Sequence, residues 1–69
     1  MEISARNQLT GKVTSVTLGT VMAEVVVDVG GQEIVAAITR SSAQRLGLQE
    51  GSEVAVIIKA TDVMIGAGS

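Results

Sequence analysis

The chain has 69 residues with no Cys, His, Pro or aromatic residue, 46% hydrophobic content and a net charge of -2. A single domain of this size buries only about 60% of the surface its unfolded chain exposes. Without disulfides, metals or aromatic bulk its core supplies about 3–5 kcal/mol, so oligomerisation is the stabilising device left to it. Five Lys+Arg against seven Asp+Glu is the wrong sign for a protein that neutralises many phosphates, so nucleic acid is not an expected partner. No apolar run approaches the roughly 20 residues of a membrane helix. Glu2, Arg6 and Lys12 interrupt any leader-like stretch, so a cytoplasmic location is expected.

Alternating patterns dominate from Leu9 to Lys59 and predict an all-β chain with one helical insert. In the first strand Leu9 and Val13 share one parity while Val16 and Leu18 share the other, which predicts a bulge near Thr14–Ser15 that flips the face. Val21, Ala23, Val25, Val27 and Val29 line one side of the next strand, with Met22, Glu24, Val26 and Asp28 on the other. Gly30-Gly31 predicts a two-residue hairpin, because both central positions of a type I′ turn need positive φ. The third strand turns Ile34, Ala36 and Ile38 inward. Ser41-Ser42-Ala43-Gln44 has the form of a capping box and Gly47 that of a helix stop, giving a helix from Ser42 to Leu46. Gly51 opens a fourth strand with Val54, Val56 and Ile58 on one face and Ala55 and Ile57 on the other. A short fifth strand through Val63, Met64 and Ile65 precedes a Gly-Ala-Gly-Ser tail expected to fray. Five strands and one short helix predict a small OB-like Greek-key barrel. Val26, Val35, Ala37 and Ile57 cannot all be inside it and are expected to meet another subunit.

Catalysis is hard to build from these residues. The acids Glu2, Glu24, Asp28, Glu33, Glu50, Glu53 and Asp62 are scattered, no His or Cys is present for base, nucleophile or metal ligation, and no aromatic platform exists for stacking bases. What remains is a set of hydrogen-bond donors beside cations. Ser4 and Arg6 fall on one side of an extended segment, Thr39–Ser42 brings hydroxyls and unpaired amides to a helix start, and Lys59 ends an apolar strand. Each also has a plainer reading, as a polar arm, a helix cap and a strand-end charge. Composition and spacing therefore support an oligomeric β-barrel with a candidate anion site and stop there.

Those residues lie in segments with a familiar order. Ser4-Ala5-Arg6-Asn7-Gln8-Leu9, then Gly11-Lys12-Val13, Ile38-Thr39 with Ser41-Ser42, Leu46-Gly47-Leu48, and Ile58-Lys59-Ala60-Thr61-Asp62-Val63 resemble the molbindins, the Mop-type molybdate-binding proteins of the TOBE domain family. The resemblance runs from Ile3 to about Gly66 and implies one oxyanion-binding domain over residues 1–69. It further implies intertwined, strand-exchanging subunits in a homo-hexamer, a trimer of dimers, that stores molybdate or tungstate between subunits without any covalent cofactor or enzymatic activity. Carried over by position, Ser4, Arg6, Lys59 and the main-chain N–H of Ala60 come from one subunit, and Thr39 and Ser42 from its neighbour. That shell contains donors and no carboxylate. A second class of oxyanion site is implied at the turn Gly19-Thr20-Val21-Met22. With one such domain and no DNA-binding or nucleotide-binding segment, the chain resembles the free-standing storage proteins. The rival expectations are a module that only holds subunits together and a small β-type DNA-binding dimer.

Overall fold

The computed structural model describes Met1 to Gly68; Ser69, part of the tail expected to fray, lies outside the described residues. Four antiparallel strands form one sheet: β1 (Asn7–Leu18), β2 (Met22–Val29), β3 (Gln32–Thr39) and β4 (Glu53–Ile58), in the order β3-β2-β1-β4. A helix α1 (Arg40–Arg45) follows β3, and a single 3-10 turn, Ala60–Asp62, follows β4.

The expected bulge is present. Val13 pairs with Val27 and Ser15 with Val26, so Thr14 is the extra residue and Val13 and Val16 both turn towards the core. Val13 is 1% exposed, yet its main chain is satisfied, because its N–H reaches the Ser52 carbonyl at 2.9 Å and its carbonyl receives the Gly51 N–H at 2.8 Å. Two residues earlier β1 must carry glycine. A Cβ at Gly11 would lie 2.6 Å from a Val27 methyl and 2.7 Å from the Asp28 carbonyl oxygen. The β2–β3 hairpin closes on Gly30 and Gly31 with φ of 57° and 88°, as the turn type demands.

Val13, Val25 and Val27 form the buried centre, with Ile38, Ala36, Leu48, Val54 and Val56 packed partly around them. Ala43 anchors α1 to this layer. The outer face keeps apolar residues as expected: Val26 is half-buried, Ala37 is exposed, Val35 is 61% exposed and Ile57 41%.

Four expectations are corrected. The sheet has four strands and stays open, so the five-stranded OB-like barrel does not close within one chain. Val63, Met64 and Ile65 join no ladder and are 45%, 92% and 87% exposed, because no strand of their own chain lies beside them. Val21 falls in the turn before β2, and is 69% exposed. The helix begins at Arg40, two residues earlier than expected, with Thr39 as its cap. Thr39 already has the extended backbone of a strand end, φ -70° and ψ 149°, and its hydroxyl accepts the Ser42 N–H at 3.1 Å. The helix end matches expectation: the Gly47 N–H bonds to the Gln44 carbonyl and the Leu48 N–H to the Ala43 carbonyl, the paired closure of a Schellman motif.

Candidate functional site

Antiparallel pairing of the start of β1 with the end of β4 sets Asn7 opposite Ile58. The residues just before β1 and just after β4 are thereby forced together. The Asn7 side-chain amide donates to the Ile58 carbonyl at 3.1 Å, and the Gln8 amide reaches back to the Ala5 carbonyl at 2.9 Å, shaping the arm. The result is an open groove lined by Ser4, Arg6, Lys59 and Ala60, with Thr61 and Asp62 completing its polar wall. None of the side-chain hydrogen bonds found among the described residues uses Ser4, Arg6 or Lys59. Ala60 and Thr61 open the 3-10 turn, where the first N–H groups lack intrahelical partners, and neither donates to a main-chain carbonyl among the described residues.

Thr39 and Ser42 lie elsewhere. Thr39 pairs with Met22, beside the Leu18–Ala23 pair that ends β1. The twelve residues of β1 separate that end from Asn7. At about 3.3 Å per residue this is on the order of 35 Å, close to the 37 Å longest dimension of the molecule. One chain cannot bring Thr39 and Ser42 to Arg6 and Lys59.

At the far end the hydroxyls are already organised. Thr39 donates its hydroxyl proton to Ser42 Oγ at 2.7 Å, and its own oxygen lies 3.3 Å from Ser41 Oγ. This leaves the Ser42 hydroxyl proton free to point outward. The Gly19-Thr20-Val21-Met22 turn sits next to them and is exposed throughout. Its Gly19 N–H closes onto the Met22 carbonyl at 2.7 Å, while the Thr20 and Val21 N–H groups donate to no main-chain carbonyl among the described residues.

Thr61 and Asp62 were not assigned to the groove from sequence, although they belong to the Lys59–Val63 segment that carries the resemblance. The signal was their place in one tight turn after Lys59, since a three-residue turn keeps its members at one spot. Asp62 matters chemically, because it brings an acceptor to a wall expected to hold donors only. Among the described residues no group of three or more His, Cys, Asp or Glu side chains could hold a bare metal ion, and no helix is long and apolar enough to cross a membrane.

The family model for the TOBE domain matches residues 3–65. The chain belongs to the TOBE domain family. It is 52% identical over 66 residues to "Molybdenum-pterin-binding protein 3" of Clostridium pasteurianum, an alignment covering 94% of this chain and 97% of that protein. Among solved structures, MopII from Clostridium pasteurianum superposes with a TM-score of 0.90 at 49% identity, over 96% of this chain and all of that one. A molybdate-binding protein from Sporomusa ovata gives a TM-score of 0.93 at 43% identity, over 97% of this chain and 100% of the other.

Proposed function

We propose that this chain binds molybdate or tungstate as an intact oxyanion, in the cytoplasm, for storage and without chemical conversion, and that its sites lie between subunits of a homo-hexamer. Residues 1–69 act as the single oxyanion-binding domain. Ser4, Arg6, Lys59 and the Ala60 N–H come from one subunit, and Thr39 and Ser42 from its neighbour. The observation that carries this reading is the separation of the two half-sets to opposite ends of one sheet, each with unengaged donors. The names of the relatives supply the anion.

The same assembly accounts for the open edges and the exposed apolar surface. Met64 and Ile65, the most exposed large hydrophobic side chains, pair as a fifth strand with a second copy, giving the strand exchange that a lone chain cannot make. The turn Gly19–Met22 forms a second oxyanion site through the Thr20 and Val21 N–H groups.

Arg6 and Lys59 supply charge, while hydroxyls and amides fix orientation. Charge-assisted bonds are worth about 1.5–3 kcal/mol each, so five or six of them, less desolvation, leave binding near the -8 kcal/mol of a micromolar complex.

Subunit mixing tests the reading. A hexamer of Arg6→Ala and a hexamer of the double variant Thr39→Val, Ser42→Ala are each expected to bind molybdate poorly in equilibrium dialysis. Unfolded together and refolded, they should regain sites, because some interfaces then combine an intact half from each. Mixtures that bind no better than their parents, while light scattering shows mixed hexamers, would rule out intersubunit sites. A wild-type protein that binds no molybdate would leave only an oligomerisation module.

A further inference from the structure

Arg40 touches the exposed turn twice. Its main-chain N–H donates to the Val21 carbonyl at 2.7 Å, and its guanidinium Nη1 donates to the Gly19 carbonyl at 3.0 Å. With the Met22 carbonyl held by the Gly19 N–H, three carbonyls of this turn are tied back to the protein. The Thr20 and Val21 N–H groups are left without main-chain acceptors among the described residues. A run of main-chain N–H groups whose carbonyls are held away forms a concavity suited to anions. The guanidinium that fixes one carbonyl adds a permanent positive charge beside it and retains further donors.

We propose that Arg40 is the positioning residue of the second oxyanion site, holding the Gly19–Met22 turn in its anion-accepting form by clamping the carbonyls of Gly19 and Val21. This rests on the oxyanion-binding function proposed above and adds a residue that the sequence reading assigned to neither site. Arg40 also lies between Thr39 and Ser41, so the turn is joined by one residue to the hydroxyl cluster of the first site. The main-chain bond to Val21 survives any side-chain change, whereas the bond to Gly19 depends on the guanidinium alone.

The test follows main-chain amide signals of the hexamer by NMR during titration with sodium molybdate at constant chloride. Thr20 and Val21 report the turn and Ala60 reports the intersubunit groove. In the wild-type protein all three should move and saturate. Arg40→Met keeps the main-chain bond and much of the side-chain bulk. It should raise the molybdate concentration for half-saturation at Thr20 and Val21 at least tenfold, while Ala60 changes less than twofold. Arg40→Lys restores a cation without the rigid fork and should recover part of the loss; if Arg40→Met does not assemble, Arg40→Lys supplies the comparison, with an expected loss of at least threefold at the turn. Thr20 and Val21 titrating in the variants as in the wild type would overturn the positioning role. So would a wild-type protein in which Ala60 responds and the turn does not, which would remove the second site and leave the intersubunit site standing. Silence at all three amides would overturn both.

Discussion

The two ends of the sheet solve opposite halves of one problem. Around Arg6 and Lys59 the groove has charge on long stems that make no side-chain hydrogen bond among the described residues. Around Thr39 and Ser42 the hydroxyls hold one another, Thr39 also takes a main-chain N–H, and the adjacent Arg40 guanidinium is committed to the Gly19 carbonyl. A cation without orientation attracts any anion. A neutral array of oriented donors selects geometry but cannot repay the desolvation of a dianion. The separation of the ends means that, on the proposed function, neither is a complete site by itself and assembly has to join charge to orientation.

Removing the charge should have the largest effect. Arg6→Ala is expected to lose about 1.5–3 kcal/mol, roughly 10- to 150-fold in affinity, by titration calorimetry, with the hexamer unchanged in light scattering. Thr39→Val tests the opposite end, since it deletes both the helix cap and the group that orients the Ser42 hydroxyl. A lost cap costs about 1 kcal/mol, or a Tm lower by about 4–8 °C in a domain of this size, and a binding loss smaller than that of Arg6→Ala should accompany it. Ser42→Ala removes one outward hydroxyl and should weaken binding by about 0.5–1.5 kcal/mol without the same thermal cost. Equal losses for Arg6→Ala and Ser42→Ala would abolish the contrast between the ends.

The smallest effect sharpens the charged end. Asp62 lines the groove and repels a dianion, and it also offers an acceptor to a proton-bearing anion such as phosphate near neutral pH. Asp62→Asn should therefore tighten molybdate a few-fold and make phosphate a poorer competitor in dialysis at pH 7. Improved competition by phosphate in the variant would show that the carboxylate excludes phosphate instead of accommodating it.

Much of the fold was legible because it is enforced locally. The parity change between Val13 and Val16 required a bulge, since side chains in a strand alternate without exception unless a residue is added. Gly30-Gly31 and Gly47 marked backbone conformations that other residues resist. The cap was misplaced because Ser41-Ser42-Ala43-Gln44 carries a complete local signal, whereas the actual start depends on the end of β3 and on the Val21 carbonyl taking the Arg40 N–H. Two capping signals two residues apart compete on nearly equal terms, and a contact with Val21, distant in sequence, decides between them.

The candidate site divides along the same line. Residue chemistry marked Ser4, Arg6, Lys59 and the Thr39–Ser42 segment as candidates, and the family resemblance assigned Thr39 and Ser42 to the same site as the others. Which of them share a groove was decided by the pairing of β1 with β4, which carries Lys59, Ala60 and Asp62 to Arg6 and leaves Thr39 on the order of 35 Å away. The open sheet likewise emerged only in three dimensions. Alternation specifies which face of a strand is apolar, and it carries no information on whether the strand that covers an edge belongs to the same chain. Hydrophobic burial is non-directional and indifferent to chain connectivity, so the pattern of Val63–Ile65 predicts a strand while the tertiary structure leaves it unpaired.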